Sequence, residues 1–150
     1  METKYDPKEI GERSEAQILA AFLRANKVVL KPFGDNQRYD LVVEEEGRFF
    51  RIQCKTGRIA KDDGSLEFST CSSNWNTGER RQYKGQIELF AAYCRETDSI
   101  YLVPVEAVGR GGCRLRFKQT KNGQMKGIRF AEDYLYDGQK SLSEFCAPVA

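Results

Sequence analysis

Histidine is absent from the 150-residue sequence, and the five cysteines stand at wide spacings without a Cys-X-X-Cys pair. We interpret the cysteines as reduced and mostly buried thiols. Zinc fingers, Ser-His-Asp triads and Cys-His nucleophile pairs all need histidine or closely spaced cysteines. The composition therefore excludes these three kinds of site.

Long apolar runs are also absent, since none approaches the roughly 20 residues of a membrane span. The polar N-terminus has no apolar signal-peptide segment, so we expect a cytoplasmic protein without membrane contacts. Hydrophobic residues make up 40 % and charged residues 31 %, which is typical of one globular domain over residues 1–150. The net charge is only +2, so any nucleic-acid binding would depend on where the basic residues lie.

Local patterns predict a helix, a three-stranded meander, an extra strand, a second helix and a final strand. The first helix spans residues 7–25, because Asp6 can cap it, Pro7 suits its first position and Glu9 completes a capping box. Alternation and turn signals place strands at 27–32, 38–44, 48–55, 66–70, 99–105 and 114–117, a polar loop at 71–82, and helices at 86–95 and 128–136. This order predicts an α/β fold in which helices flank a small mixed sheet.

The hairpin of the second and third strands brings Asp40 towards Gln53 and Lys55. Gln53 and Lys55 are two residues apart, so they share a face of the third strand. If residues 46–47 form a two-residue turn, counting outward from it places Asp40 opposite Gln53. A three-residue turn would place Asp40 opposite Ile52 instead, and the site would then fail without a bulge.

Glu15 is a further candidate, on the apolar face of the first helix. It shares that face with three apolar residues that follow it by three, four and seven positions, namely Ile18, Leu19 and Phe22. A carboxylate on such a face is costly to bury without a cation or a metal, and Gly11, one turn earlier, leaves room beside it. Alternatively, Glu15 could pair at the rim with Arg38 or Lys55.

Two carboxylates, an amide oxygen and an amine at one sheet end suit metal-assisted phosphodiester hydrolysis. Mg²⁺ takes oxygen ligands and can lower the pKa of a bound water, so Glu15, Asp40 and Gln53 are its predicted ligands, with Mn²⁺ as a substitute. Lys55 can neutralise charge that develops on the phosphate or steer the attacking water. Without histidine, the proton must pass to bulk water, to a carboxylate or to Lys55.

Each of these residues also has an ordinary structural interpretation. Asp40 could be a turn carboxylate, and Asp35, in a Gly-Asp-Asn context, is a rival acid with a strong turn signature. Gln53 and Lys55 could lie on a solvated strand face. The catalytic interpretation therefore depends on the convergence of all the candidate side chains.

The sequence from Glu15 through residues 38–41 (RYDL) to residues 51–57 (RIQCKTG) resembles the pattern of the PD-(D/E)XK nucleases. Within that superfamily it is most similar to the small homing endonucleases encoded in bacterial group I introns, over roughly residues 11–135. Two positions depart from the pattern, since Tyr39 replaces the proline of the motif and Gln53 replaces an acid. The neutral glutamine should weaken metal binding unless Glu15 supplies the missing charge.

The resemblance implies a restriction-endonuclease-like αβββαβ core and Mg²⁺-dependent cleavage of both strands of a long double-stranded DNA target in a structural RNA gene. It also implies a homo-oligomer, either a tetramer or a dimer. Carried over by position, Glu15 is the helix acid and Asp40 the strand acid. Gln53 fills the slot of the second acid, and Lys55 is the motif lysine.

Polar loops beside the predicted active edge supply candidate DNA contacts. Lysine and arginine residues there would contact phosphates; these are Arg58, Lys61, Arg80, Arg81 and Lys84. Three further side chains would reach base edges; these are Ser69, Thr70 and Gln82. Any of them could equally be ordinary solvated surface. A monomer of 150 residues cannot contact a long duplex target, which also favours self-association.

We therefore expect a homing endonuclease that makes a site-specific double-strand break. A Holliday-junction resolvase or a restriction endonuclease of the same fold is the first alternative, and cleavage of linear duplex against four-way junctions would separate them. A DNA-binding protein that has lost catalysis is the second, because it would bind its site without cutting in Mg²⁺. A scaffold protein, the third, would depend on neither metal nor DNA.

Overall fold

The computed structural model describes residues 6–74, 76–118, 122–123 and 127–146. Within these residues a long helix packs on one face of a mixed β-sheet, and a second, smaller group of strands covers part of the other face. The α/β class and the mixed sheet agree with the prediction from the sequence.

The long helix, α1 (Pro7–Arg24), begins and ends where the sequence predicts. The Asp6 side chain caps it by accepting a hydrogen bond from the backbone N–H of Lys8 at 3.1 Å. Ile18 and Phe22 are fully buried. The apolar stripe of α1 therefore faces the sheet, as predicted.

An antiparallel meander follows, formed by three strands, β1 (Val28–Leu30), β2 (Leu41–Glu45) and β3 (Arg48–Ile59). The turn at residues 46–47 has positive φ angles of 51° and 78°, which is the backbone of a two-residue hairpin. Glu45 consequently pairs with Arg48, and Leu41 pairs with Ile52. The two-residue alternative is therefore correct, and the predicted strand at 48–55 continues to Ile59.

Strand β4 (Ser65–Ser69) pairs with the end of β3. A short hairpin comes next, β5 (Cys71–Ser73) with β6 (Arg80–Gln82), and forms a separate two-stranded sheet. The prediction of a plain polar loop at 71–82 was wrong at its two ends, because those residues pair with each other. The side chains of β6 are all exposed and polar, and β5 is only three residues long, so neither strand gave a detectable alternation of apolar and polar residues.

Strand β7 (Leu89–Cys94) lies in the centre of the sheet, parallel to β3 and antiparallel to β8 (Ser99–Pro104). The prediction of a helix at 86–95 was wrong. This segment is apolar on both sides because both faces of the sheet are covered, and a short apolar run does not distinguish a buried strand from a helix. The second helix of the expected αβββαβ order is thus absent at this position.

The rest of the described chain closes the fold. Strand β9 (Gly112–Arg116) pairs with β4, in agreement with the strand predicted near 114–117. The predicted helix at 128–136 was wrong, since that region contains a short 3₁₀ turn, Ala131–Asp133, between two isolated β-bridges at Phe130 and Leu135. A short helix that the sequence did not predict, α2 (Leu142–Cys146), packs near β8. Among the described residues no helix is both long and apolar enough to cross a membrane.

Two groups of apolar side chains lie on opposite faces of the central strands. One packs beneath α1 and includes Phe22, Ile52 and Leu102. The other packs under β4 and β9 and includes Leu66 and Phe90. Because β3 contributes to both, its alternate side chains point to different environments.

Candidate active site

Asp40 lies where the pairing of β2 with β3 ends. Its backbone N–H donates to the Ile52 carbonyl at 2.9 Å, and its Oδ2 accepts a hydrogen bond from the Cys54 N–H at 2.9 Å. The carboxylate thus takes the place of the backbone acceptor that a longer β2 would offer. The regular pairing ends at Leu41–Ile52, and since the Asp40 N–H donates to the carbonyl of Ile52 and not of Gln53, Asp40 does not continue that register to a pair with Gln53, so the pairing expected from the two-residue turn is not formed.

The Asp40 carboxylate interacts electrostatically with three other charged groups, those of Glu15, Lys55 and Lys31. Burial raises the pKa of Asp40, the Cys54 hydrogen bond lowers it, and the charge of Glu15 raises it again. The ammonium groups of Lys55 and Lys31 lower the pKa of Asp40. Two carboxylates and two amines therefore act on one another here, and a bound cation would relieve both the burial cost and the repulsion between the acids.

Lys55 reaches the same region from β3. Burial lowers the pKa of its ammonium group, Asp40 raises it, and the charge of Arg38 lowers it. Its Nζ also lies 5.1 Å from the centroid of the Tyr83 ring. Since the net shift is downward, the ammonium group gives up its proton more readily than a solvated lysine does.

Glu15, on α1, is close enough to Asp40 for its charge to raise the pKa of that carboxyl group. Its Oε1 accepts a salt bridge from Lys31 Nζ at 3.1 Å. The alternatives of an ion pair with Arg38 or Lys55 were wrong, since the partner is the lysine that follows β1. The pair is partly exposed, with side-chain exposures of 58 % for Lys31 and 28 % for Glu15, so it is weak enough to be exchanged for a metal.

Gln53 is half-buried and shares a face of β3 with Lys55, two residues along the strand. Among the described residues its side chain makes one long hydrogen bond, from Nε2 to the Cys54 carbonyl at 3.5 Å. The amide oxygen is thereby left for another partner. The predicted convergence of Gln53 with the two acids and the lysine is compatible with this placement.

Comparison with known proteins gives this geometry a context. A sequence model of the family described as PD-(D/E)XK endonuclease matches residues 5–137. The chain belongs to this family, and it is a nuclease. No curated protein sequence matches it.

The restriction-endonuclease-like fold class is confirmed by a solved structure. The structure of a bacterial homing endonuclease, I-Ssp6803I, superimposes on this chain with a TM-score of 0.64. The match covers 87 % of this chain and 86 % of that chain, at 22 % sequence identity. At this identity the similarity shows a shared fold.

Nucleases of the PD-(D/E)XK family generally use divalent metal ions. In the described part of the chain no group of three or more His, Cys, Asp or Glu side chains is placed to hold a metal. The donor set of this endonuclease would instead be two carboxylates, of Glu15 and Asp40, with the amide oxygen of Gln53 and waters. An all-oxygen set with few protein ligands fits a hard ion such as Mg²⁺, which keeps several waters.

Most of the predicted DNA contacts are exposed in this nuclease. They form a group on and beside β6, namely Arg80, Arg81, Gln82 and Lys84, and a group near the ends of β3 and β4, namely Arg58, Lys61 and Ser69. Thr70 is buried, and its hydroxyl donates to the Gly109 carbonyl at 3.2 Å. That hydrogen bond removes Thr70 from the candidate base contacts.

Several residues at the site were missed from the sequence. Ser14 is buried on α1, and its hydroxyl lies 2.6 Å from that of Thr56 on β3, so it ties the helix of Glu15 to the strand of Lys55. Lys31 and Tyr83 belong to the site only through tertiary contacts. The sequence signal for Ser14 and Thr56 was adjacency to Glu15 and Lys55.

Proposed function

We propose that the protein is a homing endonuclease that makes a Mg²⁺-dependent double-strand break in a long DNA target by hydrolysis of phosphodiester bonds. One observation carries the proposal: the charges of Glu15 and Lys55 both act on Asp40. Asp40 lies beside the part of β3 that pairs with neither β2 nor β4, in a chain of the PD-(D/E)XK endonuclease family. The fold shared with a bacterial homing endonuclease supports the narrower assignment. We place this activity in one domain, in the cytoplasm.

In this proposal Glu15, Asp40 and Gln53 hold the ion, which would polarise the scissile phosphate and lower the pKa of a bound water. Asp40 is fixed for this task by the Cys54 N–H, which leaves its second carboxylate oxygen available. Lys55 stands beside Asp40, where its ammonium group can neutralise charge on the phosphate. Its lowered pKa lets Nζ exchange a proton with the attacking water. Mn²⁺ should replace Mg²⁺.

The exposed basic groups on β6 and at the ends of β3 and β4 supply the DNA contacts in the proposal. Arginine and lysine side chains bind the backbone and fix the register, while Ser69 and Gln82 read base edges. One copy of a chain this size covers little of a long duplex, so the active form is a dimer or a tetramer. An origin in a group I intron follows from the same assignment.

The decisive experiment incubates the full chain with duplex DNA from an intron-free host gene, with and without Mg²⁺. We expect two-strand cleavage at one site in Mg²⁺ only, and none by Glu15→Gln, Asp40→Asn or Lys55→Ala, which should still bind that DNA. Asp35→Asn and Glu12→Gln are matched controls, because both acids are exposed and lie on the same segments of chain. Full cutting by any of the three site variants would remove that residue from the proposal.

The outcome also separates the alternatives. A junction resolvase of the same fold would cut four-way junctions in preference to linear duplex. A non-catalytic DNA-binding protein would bind its DNA site but would not cut it in Mg²⁺ or Mn²⁺. Isothermal calorimetry of Mg²⁺ with the DNA-free protein adds an independent test, in which Gln53→Glu should bind the ion more tightly because it restores a negative charge. An unchanged affinity would count against Gln53 as a ligand.

A further inference from the structure

Arg38 makes an unusually complete set of contacts for a half-buried side chain close to the active site. Its Nε donates to Gln86 Oε1 at 2.6 Å, and its Nη1 donates to Ser72 Oγ at 2.7 Å. Its Nη2 donates to the backbone carbonyls of Gln82 at 2.9 Å and Arg81 at 3.3 Å. The guanidinium group therefore fastens both strands of the β5–β6 hairpin to the chain two residues before Asp40.

The same guanidinium group lies against the ring of Tyr83. Its Cζ is 4.0 Å from the ring centroid, and the Nζ of Lys55 is 5.1 Å from that centroid. Tyr83 is itself fixed, since it is only 5 % exposed and meets the ring of Phe90 edge-on at 5.5 Å. One immobile aromatic ring thus orients both cations, the arginine that holds the hairpin and the lysine of the motif.

In the part of the chain that the structure describes, no salt bridge neutralises the charge of Arg38. Arg51, by contrast, has its charge neutralised by Glu88, with Nη2 to Oε1 at 2.8 Å and Nε to Oε2 at 2.9 Å. Neutral acceptors surround Arg38, as expected of a group that fixes geometry.

We propose that Arg38 is a positioning residue, which with Tyr83 couples the exposed β5–β6 hairpin to the ammonium group of Lys55. The hairpin carries the candidate DNA contacts Arg80, Arg81 and Gln82. DNA that fits the hairpin holds it in place, and the rigid connection then holds Lys55 against the scissile phosphate. A mismatched base pair under the hairpin slows the cleavage step itself. This inference rests on the proposed function.

The test compares Arg38→Met, which loses every donor, with Arg51→Met, which loses a similar set of hydrogen bonds in the part of β3 that is paired with β2. Single-turnover cleavage at saturating DNA is measured on the duplex that the wild type cuts and on single-base-pair variants of it. We expect Arg38→Met to lower the saturated rate by about 10²-fold, as misplacement of a catalytic group does. We expect it to lose the rate discrimination against mismatches under the hairpin, whereas Arg51→Met keeps both.

Arg38→Lys, which keeps the charge but not the fork of donors, should cut slowly and also fail to discriminate. This variant carries the test if Arg38→Met does not fold. A wild-type saturated rate in the Arg38 variants, or a loss equal for all targets, would overturn the coupling.

Hydrogen exchange separates a failure of this inference from a failure of the proposed function. In DNA-free protein, Arg38→Met should speed exchange of the β5–β6 amides at least tenfold, and Arg51→Met should leave them unchanged. If the wild type does not cut DNA, the proposed function fails on that result. Unchanged exchange in Arg38→Met would overturn the connection whether or not the wild type cuts.

Discussion

The two halves of β3 differ in pairing, burial and charge. The first half, up to Ile52, is paired with β2 and contains the buried residues Phe50 and Ile52. Its half-buried arginine, Arg51, is neutralised by Glu88. The second half begins at Gln53, where β2 has ended, and three of its polar side chains, those of Gln53, Lys55 and Thr56, are half-buried.

The comparison shows how one strand can both support a fold and carry a site. Residues 53–57 are still paired with β7, which keeps them in place. On the other edge, β3 is unpaired between the end of β2 at Ile52 and the start of the β4 pairing at Arg58, and there the Cys54 amide is satisfied by the Asp40 carboxylate. The first half should therefore govern stability and the second half catalysis.

The largest effect should come from Asp40→Asn, at the start of the second half. Cleavage should fall by about 10³-fold or more, as expected when a charged catalytic group is removed. Stability should not fall, because the pKa of Asp40 is raised in the fold. A raised carboxyl pKa gives stability that is present at low pH and lost as the pH rises through the folded pKa, so the ionised acid is a cost at neutral pH. Urea unfolding at pH 7 tests this, and a marked loss of stability would break the comparison.

Ile52→Ala should do the reverse, since Ile52 is fully buried in the first half. We expect the free energy of unfolding to fall by about 2–5 kcal/mol, because a large core side chain leaves a cavity. Cleavage per folded molecule should remain near that of the wild type at low temperature. A cleavage loss as large as that of Asp40→Asn would mean that the two halves are not separable.

Gly57→Ala sharpens the comparison at the far end of the second half. A Cβ there would lie 2.7 Å from Cδ1 of the fully buried Leu66, so we expect a loss of about 1–3 kcal/mol from overpacking. Gly11→Ala on α1 is the matched control, because nothing lies within 4 Å of its added Cβ. That control should gain about 0.5–1 kcal/mol. Equal effects of the two substitutions in thermal unfolding would contradict the close approach of β3 and β4.

The smallest effect is expected from Tyr136→Phe, in the core beneath α1. Among the described residues the buried Tyr136 hydroxyl has no hydrogen-bond partner, so its removal should be neutral or stabilising by about 1 kcal/mol at pH 7. Burial raises the pKa of Tyr136 from 10.0 to about 12. The wild type therefore loses stability relative to the variant as the pH rises from 10 towards 12, because only the unfolded tyrosine ionises there. Parallel urea titrations at pH 8 and 11 should show the gap widen; a constant gap would count against a buried hydroxyl.

Local signals were sufficient for several parts of the molecule. The capped helix α1, the two-residue turn at residues 46–47 and the register that follows from it depend on residues close in sequence. That register correctly gave the pairs from Glu45–Arg48 to Leu41–Ile52, but not the position of Asp40, whose N–H bonds to the Ile52 carbonyl where the regular pairing ends. The interpretation of 86–95 as a helix failed because burial on both faces removes the alternation that marks a strand. The partner of Glu15 was missed for a related reason, since Lys31 approaches it only when β1 packs beside α1.

The sequence by itself determined where the catalytic candidates stand along α1, β2 and β3, because helix caps, turn geometry and side-chain alternation act over a few residues. Only the tertiary structure decided which groups surround them. Lys31 meets Glu15, and Tyr83 meets Arg38 and Lys55, only because separate elements pack together. Strand β7 became a central strand because both faces of the sheet were covered. Such contacts depend on how layers pack, which short-range patterns do not encode.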